Sequence, residues 1–189
     1  MNAKRGNIAN YDMPIFFEGI INEHLHCRKN CSIFDISHMG QLRVHGSDRQ
    51  EFIESLVVSD MKEQKIGSSI LTLMTNENAG IIDSPIVTNL QEFSNLVLNS
   101  TCVEKDMNYI INELETKWNK KDIRLELLQN SALIAIQGPK AYKALQPITA
   151  ANLNNLYYME AVFIEIPYIN ETVLVTRTGF TGTSLIKKR

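Results

Sequence analysis

The sequence predicts an α+β fold built from mainly antiparallel sheets with flanking helices. Amphipathic helical segments are separated by several short strand-like segments, and the order of these segments is irregular. This order lacks the regular strand–helix–strand repetition that produces a parallel sheet. The chain has 189 residues, which is enough to bury a sizeable core.

Apolar residues at helical spacing predict three longer helices. The first covers about residues 16–29, where Phe17, Ile20, Ile21 and Leu25 share one face. The other two follow sequences typical of capping boxes, at residues 47–50 and 101–104. The predicted core faces of these two helices are Phe52, Ile53, Leu56 and Val57, and then Met107, Ile110, Ile111, Leu114 and Trp118.

Short apolar or alternating segments predict the strands. Residues 69–74 and 81–87 flank a turn at residues 76–80 and are predicted to form a hairpin. Gly138 and Pro139 are predicted to end a strand and start a short helix. The remaining predicted strands cover residues 32–36, 42–44, 95–99, 123–128, 132–136, 162–166 and 172–176.

The charge and the composition exclude several classes of function. A net charge of −2 gives no basic patch of the kind that binds nucleic acid or an anionic membrane surface. No apolar run reaches the roughly 18 residues expected of a membrane span. Three cysteines without a secretory leader indicate a reducing intracellular compartment. Lys4 and Arg5 precede any acidic residue, but this stretch is too short to be a clear import signal.

A histidine- and cysteine-rich stretch raises the possibility of a metal site. It contains His24, His26, Cys27 and Cys31, and His38 follows. The spacing argues against a metal site, because His26 would point away from the helix face shared by His24 and Cys27. No CXXC pair is present to hold two thiolates on one ion. We therefore predict no metal.

Asp83 is the candidate acid that follows the glycine turn at Gly80. A sparsely solvated carboxylate in this position suits orientation or proton transfer, but the residues alone favour a structural role in which it only satisfies backbone donors. The glycine steps at residues 137–139 and 178–182 do not have the spacing of a phosphate-binding loop.

Six segments in order resemble the aminomethyltransferase family, the folate-dependent T-proteins of the glycine cleavage system. Residues 24–39 resemble the stretch that ends in the FDVSHM-type signature of the family. The segment TNENAGIID resembles its TNE-GGI-DD turn. The other four segments are GSDRQEFIESLVVSD, LNSTCVEKD, LIAIQGPKA and VTRTGFTG.

The resemblance implies a three-lobed protein that holds tetrahydrofolate as a co-substrate in a central hole. Lipoylated H-protein would deliver an aminomethyl group, its methylene would pass to tetrahydrofolate, and ammonia would leave. Such catalysis depends mostly on positioning and charge stabilisation. We expect a first lobe from residues 1–45 plus 128–189, an inserted second lobe from residues 46–127, and no third lobe. Similarity to eukaryotic members implies the mitochondrial matrix.

The resemblance also assigns candidate site residues. Met39 corresponds to a signature methionine that packs against the pterin, and Asn99 corresponds to an asparagine of the folate pocket. Phe180 occupies the position of a family tyrosine, so that a ring is kept and a hydroxyl is lost. Asp83 and Ser84 occupy the positions of the paired acids of the family.

The departures from the family pattern affect the expected activity. The functional aspartate is the second of the pair, and Ser84 takes its place here. Neighbouring side chains of a strand point to opposite faces, so Asp83 is not expected to substitute for it directly. Pro85 removes a ladder donor and could shift the local register. After residue 182 the sequence departs from the acidic run of the family and ends.

These features predict an aminomethyltransferase that is truncated and weak or inactive. The alternative is a non-catalytic homologue that binds folate or H-protein. A relative linked to tRNA or iron–sulfur chemistry is the least favoured alternative, because the KGCYXGQE-type motif is absent from the sequence.

Overall fold

A computed structural model describes residues 3–179 and 181 of the chain. Within this range the fold is α+β, and every paired strand is antiparallel to its partner, which confirms the predicted fold class. No helix in the described part has both the length and the apolar character needed to cross a membrane. The chain divides into two compact units, residues 1–38 with 132–189 and residues 39–131.

Unit 1 consists of two-stranded sheets and short helices. Strands β1 and β2 form a hairpin, β3 pairs with β11, and β12 pairs with β13. The bounds are β1 Lys4–Ile8, β2 Tyr11–Phe16, α1 Ile20–Lys29, β3 Ser32–Asp35, β11 Ile134–Gln137, α4 Ala141–Leu145, β12 Ala161–Ile166 and β13 Glu171–Thr176. Two 3₁₀ turns, Gln146–Ile148 and Leu153–Asn155, lie between α4 and β12.

Unit 2 contains a five-stranded sheet in the order β10-β4-β9-β8-β5, and a short β6–β7 pair. The bounds are β4 Gly40–His45, α2 Arg49–Leu56, β5 Ser68–Leu71, β6 Met74–Thr75, β7 Ile81–Asp83, β8 Ile86–Asn89, β9 Phe93–Leu98, α3 Val103–Lys117 and β10 Arg124–Leu127. Helix α2 packs on β9, and α3 packs on β7. The apolar core comprises Leu42, Val44, Phe52, Ile53, Leu56, Val57, Met61, Met74, Val87, Leu96, Leu98 and Ile110.

Strands β4 and β10 both belong to the sheet of unit 2. The predicted first lobe includes residues through 45, and the predicted second lobe ends at residue 127. In the structure, β4 lies between β9 and β10 and contributes Leu42 and Val44 to the core, so β4 belongs to unit 2, and β10 is an edge strand of the same sheet.

The first helix begins at Ile20 rather than near residue 16. The Glu23 carboxylate accepts the backbone N–H groups of Phe17, Glu18 and Gly19 at 2.7, 2.6 and 3.2 Å, so these residues form a loop over the helix start. Ile20 and Ile21 are exposed, and the buried residue of α1 is Cys27. The predicted apolar face therefore exists but is not packed within the described residues.

Neither predicted capping box forms. Ser47 donates its backbone N–H and its hydroxyl to Asp122 at 2.8 and 3.0 Å, across the loop that precedes β10. Gln50 donates to Asn89 and Ser94 instead of returning to its own helix start. These long-range partners outcompete the local cap.

The N-terminus of α3 also lacks a side-chain cap. Its N-cap residue is Cys102, and Thr101 makes only a 3.9 Å contact with the Cys102 sulfur. On the same helix Ile111 is 39% exposed, because the buried face runs through Asp106, Ile110 and Glu113.

The predicted hairpin around residues 76–80 is present but is divided into two short ladders. Leu71 pairs with Ile86, and Met74 pairs with Asp83, so the register is the same on both sides of the break. Pro85 lies in this break, and its carbonyl accepts the Thr72 N–H at 3.1 Å. The proline therefore interrupts the strand without shifting its register.

Candidate functional site

The candidate site lies in unit 2, where the end of β7 meets the end of β9. Asp83 is the last residue of β7, and Asn99 directly follows β9. The backbone N–H of Asn99 donates to Asp83 Oδ2 at 2.9 Å, and the Asn99 side-chain Nδ2 donates to Oδ1 at 2.7 Å. Both oxygens of the Asp83 carboxylate are therefore held by one residue.

Ser84 belongs to the same group. Its hydroxyl oxygen lies 3.4 Å from Asn99 Nδ2, which makes a long contact. The argument that Asp83 and Ser84 point to opposite faces assumed a continuous strand over residues 81–87, and that assumption was wrong. The strand ends at Asp83 and resumes at Ile86, so both side chains reach Asn99.

Met39 lies at the same end of the sheet. The antiparallel register pairs Gly40 with Leu98, so the preceding Met39 and the following Asn99 extend from the same end of β4 and β9. Met39 is half-buried. Gly40 allows close packing here, because a Cβ at this position would lie 2.8 Å from the Val103 side chain. Phe180 lies outside the described residues.

Sequence reasoning missed three residues at the start of α3 that complete the group. One oxygen of Asp83, one oxygen of Asp106 and the Sγ of Cys102 all lie within 4.8 Å of one another. The Lys105 ammonium lies 3.7 Å from the Cys102 sulfur and donates to the Ile82 carbonyl at 2.6 Å. The spacing of Asp106 carried a signal, because it lies four residues before the buried Ile110.

The two carboxyl groups of the site differ in charge. Burial raises the pKa of Asp83, but hydrogen bonds from the Asn99 side chain and backbone, from the Ser84 N–H and from Asp106 outweigh it, so the pKa is lowered. Burial and then the neighbouring Asp83 raise the pKa of Asp106 to about 7, against an opposing effect of Lys105.

This pairing gives the site one firmly ionised acid and one acid that titrates near neutral pH. Asp83 can stabilise positive charge that develops on a nearby nitrogen, or accept a hydrogen bond from it, but it is a poor proton donor. The Asp83, Cys102 and Asp106 group has ligand types that metals accept, yet the Lys105 ammonium beside it opposes a dication. We do not assign a metal to this group.

In the histidine- and cysteine-rich stretch, His26 and Cys27 make separate contacts within unit 1. His26 Nε2 lies 3.1 Å from the Cys31 carbonyl oxygen, and the sulfur of the buried Cys27 lies 3.9 Å from the Thr181 hydroxyl. A cavity of about 680 Å³ in unit 1 is lined by these cysteines together with apolar residues such as Phe17 and Ile20. Glu23 also lines this cavity, and its carboxylate accepts backbone N–H groups of the loop that precedes α1.

Comparisons with known proteins give a consistent result. A family model described as the GCVT N-terminal domain matches residues 1–184. The mitochondrial aminomethyltransferase of Dictyostelium discoideum is 38% identical over 187 residues, which are 96% of this chain and 46% of that protein. The mitochondrial aminomethyltransferase of Homo sapiens is 40% identical over 177 residues, which are 92% of this chain and 43% of that protein.

A solved structure agrees with these sequence matches. The aminomethyltransferase T of the glycine cleavage system from Bartonella henselae has a TM-score of 0.83 and 31% identity, over 95% of this chain and 47% of that one. The chain therefore spans less than half the length of the curated relatives described above. The family resemblance inferred from the six segments is confirmed.

Proposed function

Because this chain belongs to the GCVT N-terminal domain family, we propose that it carries the tetrahydrofolate-binding part of an aminomethyltransferase of the glycine cleavage system. In this reaction the methylene of an aminomethyl group, carried on the lipoyl arm of H-protein, passes to tetrahydrofolate and ammonia leaves. Tetrahydrofolate and lipoylated H-protein are the proposed co-substrate and partner. The mitochondrial relatives support the mitochondrial matrix as the proposed location.

The observation that supports this proposal is the buried Asp83 carboxylate held by Asn99. Asp83 is only 5% exposed, and its two hydrogen bonds from Asn99 keep it ionised. A fixed negative charge of this kind stabilises the cationic centre that forms when the nitrogen of an aminomethyl group departs. Positioning of the two reactants would supply the rest of the rate enhancement.

The other site residues have supporting roles in this proposal. Met39 supplies a polarisable apolar surface against a flat ring, and Phe180 is a further proposed folate-site residue, on the family resemblance alone. Ser84 supplies a hydroxyl where the family motif has its functional acid, so the proposed site contains one carboxylate less than that motif. This substitution favours the second candidate, a homologue that binds folate or H-protein without turnover.

Calorimetry with tetrahydrofolate tests the binding half of the proposal. We expect the 189-residue chain to bind. We expect Asn99→Ala and Met39→Ala to weaken binding by roughly tenfold each, because the first removes a hydrogen bond that holds Asp83 and the second removes apolar surface. Asn108→Ala is the matched control, because Asn108 is exposed on α3. If wild-type protein releases no binding heat at millimolar tetrahydrofolate, the folate site is refuted.

Turnover separates the two candidates. We expect the isolated chain to form negligible methylenetetrahydrofolate from aminomethylated H-protein, with a full-length relative as the positive control. Binding of tetrahydrofolate without turnover supports the non-catalytic candidate. Steady product and ammonia formation would establish the enzyme and would show that Ser84 is compatible with catalysis.

A further inference from the structure

Asp106 has an unusual environment within unit 2. Its side chain is fully buried on the first turn of α3, and neither carboxylate oxygen has an N–H or O–H donor within hydrogen-bonding distance among the described residues. An ionised carboxylate in such a place would lose its hydration without gaining hydrogen bonds to replace it. The neutral acid, in contrast, has one O–H group that needs only an acceptor.

Asp83 is the available acceptor. One oxygen of each of the two carboxyl groups lies within 4.8 Å of the other, and two buried carboxylates at this separation repel each other strongly if both are ionised. One of the pair therefore keeps a proton, as in other closely spaced carboxyl pairs.

The hydrogen bonds decide which carboxyl group holds the proton. Both oxygens of Asp83 already accept N–H donors from Asn99, and these bonds favour its ionised form. Asp106 receives no such donors in the described part of the chain. The proton therefore belongs on Asp106, and its acceptor is Asp83.

Two further charged or titratable groups lie near the pair in the part of the chain that the structure describes. The Lys105 ammonium and the Cys102 thiol lie at the start of α3, and Asp83 is the acid that faces Asp106 from β7. The Lys105 ammonium donates to the Ile82 carbonyl and to the Cys102 sulfur. It lowers the pKa of Asp106 less than burial and Asp83 raise it.

We propose that Asp106 is a positioning residue of the candidate folate site, which donates its proton in a hydrogen bond to Asp83 and holds that carboxylate against Asn99. This inference rests on the proposed function for its ligand, and on the geometry of the pair for the rest. Asp106 needs no contact with substrate to act in this way. Above neutral pH it loses the proton, and Asp83 then faces a second negative charge instead of a donor.

Carboxyl-detected ¹³C NMR of the 189-residue chain tests the pair without any ligand. We expect Asp106 to titrate near pH 7, and Asp83 to titrate below its usual range with a small second shift change near pH 7. In Asp106→Asn the amide still donates to Asp83, so the Asp83 pKa should stay low. In Asp106→Leu the donor is lost, so the Asp83 pKa should be higher than in Asp106→Asn.

The pH profile of tetrahydrofolate binding supplies the functional readout. Wild-type affinity should fall between pH 6 and pH 8.5, whereas Asp106→Asn should remove this dependence and Asp106→Leu should bind roughly tenfold more weakly than Asp106→Asn. Glu104→Gln is the control, because Glu104 is exposed on the same turn of α3 and should change neither profile.

Several results would overturn the proposal. The first is titration of Asp106 in the ordinary acid range. The second is an Asp83 pKa that is the same in Asp106→Asn and Asp106→Leu. The third is displacement of the proton by one equivalent of Zn²⁺, with a shift of both carboxyl signals. If Asp106→Leu fails to fold, the wild-type titration still decides. If the NMR result holds but no tetrahydrofolate binds, the carboxyl pair stands and the proposed function fails.

Discussion

The two hydrogen bonds from Asn99 to Asp83 allow a quantitative prediction about the free energy of unfolding. Asn99→Ala removes the 2.7 Å bond from Nδ2 to Asp83 Oδ1 and leaves the backbone bond to Oδ2 in place. Removal of one hydrogen bond from a buried ionised group costs about 1.5–3 kcal/mol. We therefore expect the free energy of unfolding at pH 7.5 to fall by that amount.

A double-mutant cycle isolates the interaction from other effects of truncation. In the Asp83→Asn background the partner is neutral, so Asn99→Ala should cost only about 0.5–1.5 kcal/mol. The coupling energy between the two sites should thus be about 1–2 kcal/mol. Urea unfolding followed by circular dichroism and tryptophan fluorescence measures all four proteins, and Asn108→Ala should lie within about 0.5 kcal/mol of wild type.

The pH dependence of this coupling has a defined sign. The pKa of Asp83 is lowered in the folded state, so its contribution to stability is present above the usual value of 3.8 and is lost as the pH falls through the folded value. The cost of Asn99→Ala should therefore shrink at acid pH. The predicted interaction is refuted if Asn99→Ala lowers the free energy of unfolding equally with Asp83 and with Asp83→Asn. It is also refuted if the loss is the same at pH 3 and at pH 7.5.

Three further predictions follow from the same unit. Asp106→Asn should raise the free energy of unfolding above pH 7 by up to about 4 kcal/mol and leave it unchanged below about pH 4. The reason is that the raised pKa of Asp106 stabilises the folded state below pH 3.8, and this stabilisation is lost as the pH rises to about 7. A difference between variant and wild type in urea unfolding that does not change with pH contradicts this. Gly46→Ala should lower the free energy of unfolding by at least about 2 kcal/mol more than Gly19→Ala does. Both glycines have positive φ, but only at Gly46 would an added Cβ clash with a backbone oxygen, that of Asp122. Equal urea unfolding midpoints for the two variants contradict this. Ser84→Ala should change the free energy of unfolding by less than about 0.5 kcal/mol, since its 3.4 Å contact with Asn99 is long, and a larger loss would show a stronger bond.

Patterns set by local chemistry were predictable from the sequence. The three longer helices, the turn before Asp83 and most strands follow from apolar spacing and from glycine or proline, and the structure places them within a few residues of the expected positions. The hairpin of β1 and β2 was missed, because its turn relies on positive φ at Ala9 and Asn10 and not on glycine.

Features that depend on distant partners were not predictable. Ser47 resembles a cap but bonds to Asp122, 75 residues away. The proximity of Asp83 and Asp106 needs the packing of α3 on β7, which no local pattern encodes. The family resemblance identified Asn99 and Met39 as candidate site residues. Asp106 lies in the matching segment LNSTCVEKD but was not identified as one.

The break between the two ladders makes the site sensitive to chain length. Two residues on each strand separate the Leu71–Ile86 pair from the Met74–Asp83 pair. Loss or gain of a single residue in either segment would slip β7 by one position and turn Asp83 to the opposite face, while the five-stranded sheet stayed intact. During evolution, insertions and deletions in this break should therefore persist only as compensated pairs.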